Sequence, residues 1–223
     1  MPRAKQKSRE DIIELFMEYV CVHGLDITID EFCKSKKVKS DQFIVHLDTI
    51  EEAEKTVWEE LMIAAIRTVS ADPHYANFSK RDRLLSLYYT FFENCSLNEP
   101  FLDVSIEHHS KLNAISVLKK LKLHFTEYIQ AIHEQPIIPL GGAEDRINQI
   151  TNTAVSEAYY AQLLFLIDFW ANDDSTNHEK TDIAIEKTVK ASMDLVDYTP
   201  IKSVLDFGKF MWKERISKMQ FNK

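Results

Sequence analysis

Apolar residues recur at three- and four-residue spacings along almost the whole chain, and that period predicts helices throughout. Ile12, Phe16, Tyr19 and Val20 fall on one face of a first helix, which opens at Ser8 with Asp11 three residues on and stops at Gly24. Thr28-Ile29-Asp30-Glu31 reads as a capping box, in which hydroxyl and carboxylate satisfy each other's backbone N–H groups. It opens a short helix ending near Lys36, followed by a second short stretch over residues 40–46. Thr49-Ile50-Glu51-Glu52 is another such box, and Ala53, Val57, Leu61, Ala64 and Ala65 then stripe a long helix to about Ala71. Two short helices joined by a three- or four-residue turn have the dimensions of a helix-turn-helix.

Asp72-Pro73 interrupts the period, so residues 72–79 read as a polar loop. Further helices are expected near 80–96, 110–133, 144–172, 179–197 and 201–216, with Pro136, Pro139 and Gly141-Gly142 between the second and third. Thr199-Pro200 is a cap with proline at the first helical position. Residues 96–109 carry no decisive signal. Only 4 glycines and 6 prolines in 223 residues leave too little turn punctuation for a many-stranded protein, so the fold class is all-α.

Charge sharpens this picture through its distribution. Residues 1–50 hold 8 Lys+Arg against 9 Asp+Glu, whereas the remainder holds 19 against 26. The N-terminal cations also cluster, at Arg3, Lys5, Lys7 and Arg9 and again at Lys34, Lys36, Lys37 and Lys39, and such clusters matter more for phosphate contact than net charge does. Cys21, Cys33 and Cys95 are widely spaced and odd in number, which suits reduced thiols. The basic start has no apolar core behind it, and the longest apolar run, 161–171, is broken by Gln162 and Asp168. It falls well short of the roughly 20 residues of a membrane span, so a cytoplasmic protein is expected. HExxH, paired cysteines and glycine-rich phosphate loops are absent from the sequence, and His108-His109 reads as a polar helix start rather than a metal site; neither an enzyme nor a cofactor is expected.

The stretch 28–53, TIDEFCKSKKVKSDQFIVHLDTIEEA, resembles the DNA-binding head of the TetR family without a gap. Phe32 and Cys33 take the Ile-Ala positions of that pattern, Val38 the turn valine, Phe43 the buried residue of the recognition helix, His46-Leu47 its His-Phe pair, and Glu51 the acidic residue opening the fourth helix. Three positions depart from it: Lys37 stands for the turn glycine, Ile44 for a phosphate-binding tyrosine and Ile50 for a phosphate-binding lysine. The resemblance implies a TetR-like architecture, with a helix-turn-helix head over 1–50, a connecting fourth helix over 50–71, and a ligand-binding and dimerisation body over 72–223. It also implies double-stranded DNA as partner, contacted by Lys36, Lys37 and Lys39 on phosphates and by Ser40 and Gln42 on base edges, with Thr28 and His46 completing the set.

In the body, Tyr88, Tyr89, Phe91 and Phe92 form one aromatic cluster, and Tyr159, Tyr160, Phe165, Phe169 and Trp170 another. Such wide apolar surfaces are covered by neighbouring helices, by a symmetry partner or by a ligand. Tyr88, Phe92, Phe125, Tyr159, Phe165 and Phe169 are the candidate contacts for a small hydrophobic ligand. Asp168 is either a polar anchor among them, a structural hydrogen-bonding group or part of a solvent-facing stripe. The family resemblance implies a homodimer through helices 144–172 and 179–197. Residues 166–216 are also similar in layout to the TetR-fold lipid-binding accessory proteins of ubiquinone biosynthesis. That likeness implies an alternative, a lipid or isoprenoid carrier that no longer binds DNA and meets membrane through a terminal helix bearing Val204, Phe207, Phe210, Met211 and Trp212, unless that helix simply docks on the body.

Overall fold

Side-chain caps set where the first helices begin. In the computed structural model, which describes residues 7–109, 115–133 and 143–197, Ser8 Oγ accepts from Asp11 N and Asp11 Oδ2 accepts from Ser8 N, opening α1 (Arg9–His23). Gly24, at φ 75°, ends it by donating its N–H to the Val20 carbonyl. Thr28 and Glu31 form the reciprocal box at the head of α2 (Ile29–Lys36). Thr49 caps α4 (Ile50–Ser70) through the Glu52 N–H, with α3 (Ser40–Leu47) between. A single 3-10 turn over Tyr75–Asn77 leads to α5 (Lys80–Leu97), headed by a Ser79–Asp82 pair. Then follow α6 (Glu99–His108), α7 (Lys119–His133), α8 (Ala143–Ala171) and α9 (Glu179–Asp197). Every described element is helical. The expected helix over 201–216 and the Thr199-Pro200 cap lie outside the described residues.

Two compact units emerge. One joins the described residues up to Ala71 with those of Thr90–Phe125; the other joins Asp72–Tyr89 with those from Thr126 onward. Helices α1–α4 therefore pack together with α6. Phe16 of α1 meets Phe32 and Phe101 at 6.0 Å between ring centroids, Phe32 meets Phe43 at 5.3 Å, and Tyr19 meets Phe32 at 5.7 Å. The four phenylalanines are fully buried, and their tilted and edge-on contacts each add about 0.5–1.5 kcal/mol beyond the burial itself.

The long helix α4 is held by polar groups as well as apolar ones. Glu54, only 2% exposed, accepts from Ser105 Oγ at 2.6 Å and lies 2.9 Å from His109 Nε2, while Ser105 Oγ accepts from Trp58 Nε1 at 3.0 Å. Lys120 reaches Glu52 at 2.9 Å, His124 reaches Glu59 at 3.0 Å, and Arg9 pairs with Glu60. A buried carboxylate is tolerable only when so partnered.

In the second unit, α8 and α9 pack side by side around Tyr159, Leu163, Leu166, Trp170, Ile185 and Val189. Asp173 ties the turn between them. Its carboxylate accepts from the backbone and hydroxyl of both Ser175 and Thr181 at 2.6–3.0 Å. Desolvation alone would raise its pKa, but these four donors hold it far below the ordinary carboxylate range. Tyr75, Tyr128 and Arg83 form a second polar knot: the two phenols lie 3.0 Å apart, Tyr128 donates to the Arg83 carbonyl, and the guanidinium sits 4.7 Å over the Tyr75 ring.

Two consequences are measurable. Phe32→Ala removes the ring shared by α1, α2 and α3 and is expected to lower unfolding stability by about 3–5 kcal/mol, read from the urea midpoint. Lys37 occupies the left-handed region at φ 53°, ψ 45°, where a side chain costs energy that glycine avoids. Lys37→Gly is expected to raise stability by about 1 kcal/mol in the same titration, the left-handed cost removed less the chain entropy that glycine adds; a fall would show that the lysine side chain contributes more than its backbone conformation costs.

Candidate nucleic-acid interface

Helices α2 and α3 are joined by Lys37, Val38 and Lys39 alone. The chain reverses there because Lys37 adopts the left-handed conformation and the N–H groups of Lys37 and Val38 both reach the Cys33 carbonyl. Val38 is buried beneath the turn, and Phe43 and Leu47 bury one side of α3. These are the side chains that matched the family pattern in sequence.

The expected DNA-contacting residues all lie on this unit but differ in what they offer. Thr28 is committed to capping α2 through Glu31. Lys36 is ion-paired with Glu18 at 2.7 Å, and its carbonyl accepts from Lys7 Nζ at 2.8 Å. Lys37 and Lys39 are exposed, as is Lys34, which the sequence comparison left out of the set. Ser40, Gln42 and His46 are half-buried, with Ser40 Oγ 3.5 Å from Asp30 Oδ1. The side of α3 that points away from the core carries Asp41, Ile44 and Val45, spaced i, i+3 and i+4, and Asp48 is exposed just beyond its end. Ile44, at the position where the family pattern carries a phosphate-binding tyrosine, is 49% exposed, and Val45 beside it 79%, so two aliphatic side chains stand in water.

The candidate ligand contacts separate by unit and by helix face. In the first unit Phe125 is fully buried, and Phe92 is buried with its ring against Phe91 at 5.2 Å. In the second, Tyr88 and Tyr159 are buried. Desolvation, with the neighbouring Tyr159 phenol, pushes the Tyr88 hydroxyl well above its ordinary range, so it stays protonated. Phe165 and Asp168 do not join them: both are exposed on the side of α8 opposite Tyr159, and Phe169 is half-buried beside Phe165 at 6.0 Å. Helical period is the reason, since positions 159, 163, 166 and 170 share the inner face and 165 and 168 turn outward. Gln162 is the residue that the sequence reading passed over. Its carboxamide turns inward, and neither Nε2 nor Oε1 meets a hydrogen-bonding partner among the described residues. Its only trace in the sequence was the break it makes in an apolar run.

Among the described residues no helix is long and apolar enough to cross a membrane, and no group of three metal-binding side chains comes together. No curated protein matches the chain. Its structure is similar to the crystal structure of a TetR family transcriptional regulator, PfmR, from Thermus thermophilus, at 11% identity and a TM-score of 0.43, over 80% of this chain and 97% of that one. A family model described as the tetracycline repressor-like C-terminal domain matches residues 83–211, more than half of the 223-residue chain. With a helix-turn-helix in front of that domain, the chain belongs to the TetR family.

Proposed function

We propose that the protein is a homodimeric transcriptional regulator that binds operator DNA through α2 and α3 and responds to a small apolar ligand held in its helical body. The observation that carries this reading is the three-residue turn that buries Phe43 and Leu47 and leaves the other side of α3 exposed beside Lys34, Lys37 and Lys39. A short helix with one side anchored and the other bare can enter a major groove, while flanking lysines take phosphates. Ligand response is supported by Gln162, because a buried amide without partners costs about 1–3 kcal/mol and is relieved when a ligand or water supplies them. Dimerisation is supported by the outer surfaces of α8 and α9, where Phe165 and Ile183 are each 52% exposed alongside the small residues Ala154, Ala158 and Ala161. Small residues let a partner helix approach, and the two aromatic and aliphatic side chains supply the area to bury.

A second reading has one observation behind it. Asp41 on the outward side of α3 and Asp48 just past its end repel phosphate, as expected of a lipid carrier that has left DNA. One titration separates the two. The full-length protein should bind the duplex upstream of its own coding region far more tightly than a random duplex, with log affinity falling against log salt at a slope of about −5 if three lysines of each protomer touch phosphate. Affinity equal to that for random duplex, with lipid in organic extracts of the purified protein, would replace the first reading by the second.

The dimer has its own check. Phe165→Glu places a charge where two copies would meet and is expected to convert a sedimenting dimer into a monomer with unchanged helical content.

A further inference from the structure

On the reading that α3 enters a major groove, we infer that Ile44 and Val45 are its base-reading residues and that they recognise the methyl groups of thymine. Burial of Phe43 and Leu47 fixes the rotation of α3 about its axis, and the stripe left facing outward is Asp41, Ile44 and Val45, with Asp48 exposed just past the helix end. This stripe contains no hydrogen-bond donor side chain. The purine acceptors N7 and O6, which arginine, lysine, asparagine and glutamine read, therefore find nothing to pair with along it. Gln42 and Ser40, the residues whose chemistry suits such atoms, are half-buried to its sides.

What the stripe does offer is apolar surface at its centre and carboxylate acceptors at its ends. In the major groove only thymine presents an apolar group, its C5 methyl. The two central side chains are β-branched, so in a helix each is nearly confined to one side-chain rotamer and loses little freedom on contact. Val45 is the most exposed of the large apolar residues described, at 79%, and gains nothing from folding. Lys34, Lys37 and Lys39 lie off the stripe, on α2, in the turn and at the cap of α3, where they are exposed and left to take phosphates rather than bases.

The test uses the full-length protein and a randomised 30-base-pair duplex pool amplified once with dTTP and once with dUTP, which lacks only the methyl group. Sites enriched from the thymine pool are then remade with uracil at each thymine in turn. Uracil at the contacted positions should weaken binding by about fourfold per methyl, the loss expected of one buried methyl-sized group. Val45→Ala should bring the thymine-to-uracil ratio at its position close to one, and Ile44→Ala should do so at a neighbouring position. Both residues are exposed, so alanine leaves the fold intact, with circular dichroism as the control. Enriched sites that bind equally well with uracil, or a ratio unchanged in both variants, would overturn the inference and leave DNA binding standing. Absence of enrichment from both pools would instead remove the DNA-binding reading and this inference with it.

Discussion

The contact among Phe16, Phe32 and Phe43 is the constraint on which the N-terminal unit depends. One ring comes from each of α1, α2 and α3, and all three are fully buried. With so little backbone between α2 and α3, hydrophobic burial does the positioning: once Phe43 is inside, the rotation of α3 is settled, and with it the identity of every side chain presented outward. The stability of the unit and the outward face of α3 thus depend on the same ring. The helix cannot present a different set of residues without giving up this contact.

A second level of order comes from α4, the longest helix of that unit. Its polar groups reach α1 through Arg9, α6 through Ser105, the residue following α6 through His109, and α7 through Lys120 and His124. Apolar packing tolerates small sliding movements between helices; a carboxylate bonded at 2.6 and 2.9 Å does not. These attachments fix α4 within its own unit, and with it the frame against which α1 to α3 pack.

Much of this was legible in the sequence, for reasons that can be named. The cap at Thr28 is local chemistry written within four residues and formed as read; Ser8, read only as a helix start, closes a full box with Asp11, and at Thr49 only the hydroxyl half is present. Helix α9 occupies the span its periodicity predicted. Residues 96–109 resisted because Asn98 alone separates α5 from α6, too short a gap to leave a polar loop, and Pro100 sits inside the first turn where proline is harmless. The faces of α8 resisted for the opposite reason: its C-terminal half is apolar nearly all round, so period alone could not say whether Phe165 or Tyr159 turns inward. Glu54 and Ser105 are 51 positions apart, and no local pattern announces such a partnership. Ile44 was visible only as a missing tyrosine; its exposure beside Val45 makes it a surface with chemistry of its own.

The buried group of Trp58, Glu54, Ser105 and His109 carries a consequence for the divergence of this sequence. Replacing Glu54 alone leaves a hydroxyl and an imidazole without their acceptor; replacing Ser105 alone strands an indole N–H and leaves the carboxylate only His109. Each single step crosses a valley, whereas a joint exchange for apolar residues of similar volume need not. Relatives should therefore hold these four positions as a set or alter them as a set, so that covariation between the start of the fourth helix and the end of the sixth becomes a signature of this interior, readable in any collection of aligned chains.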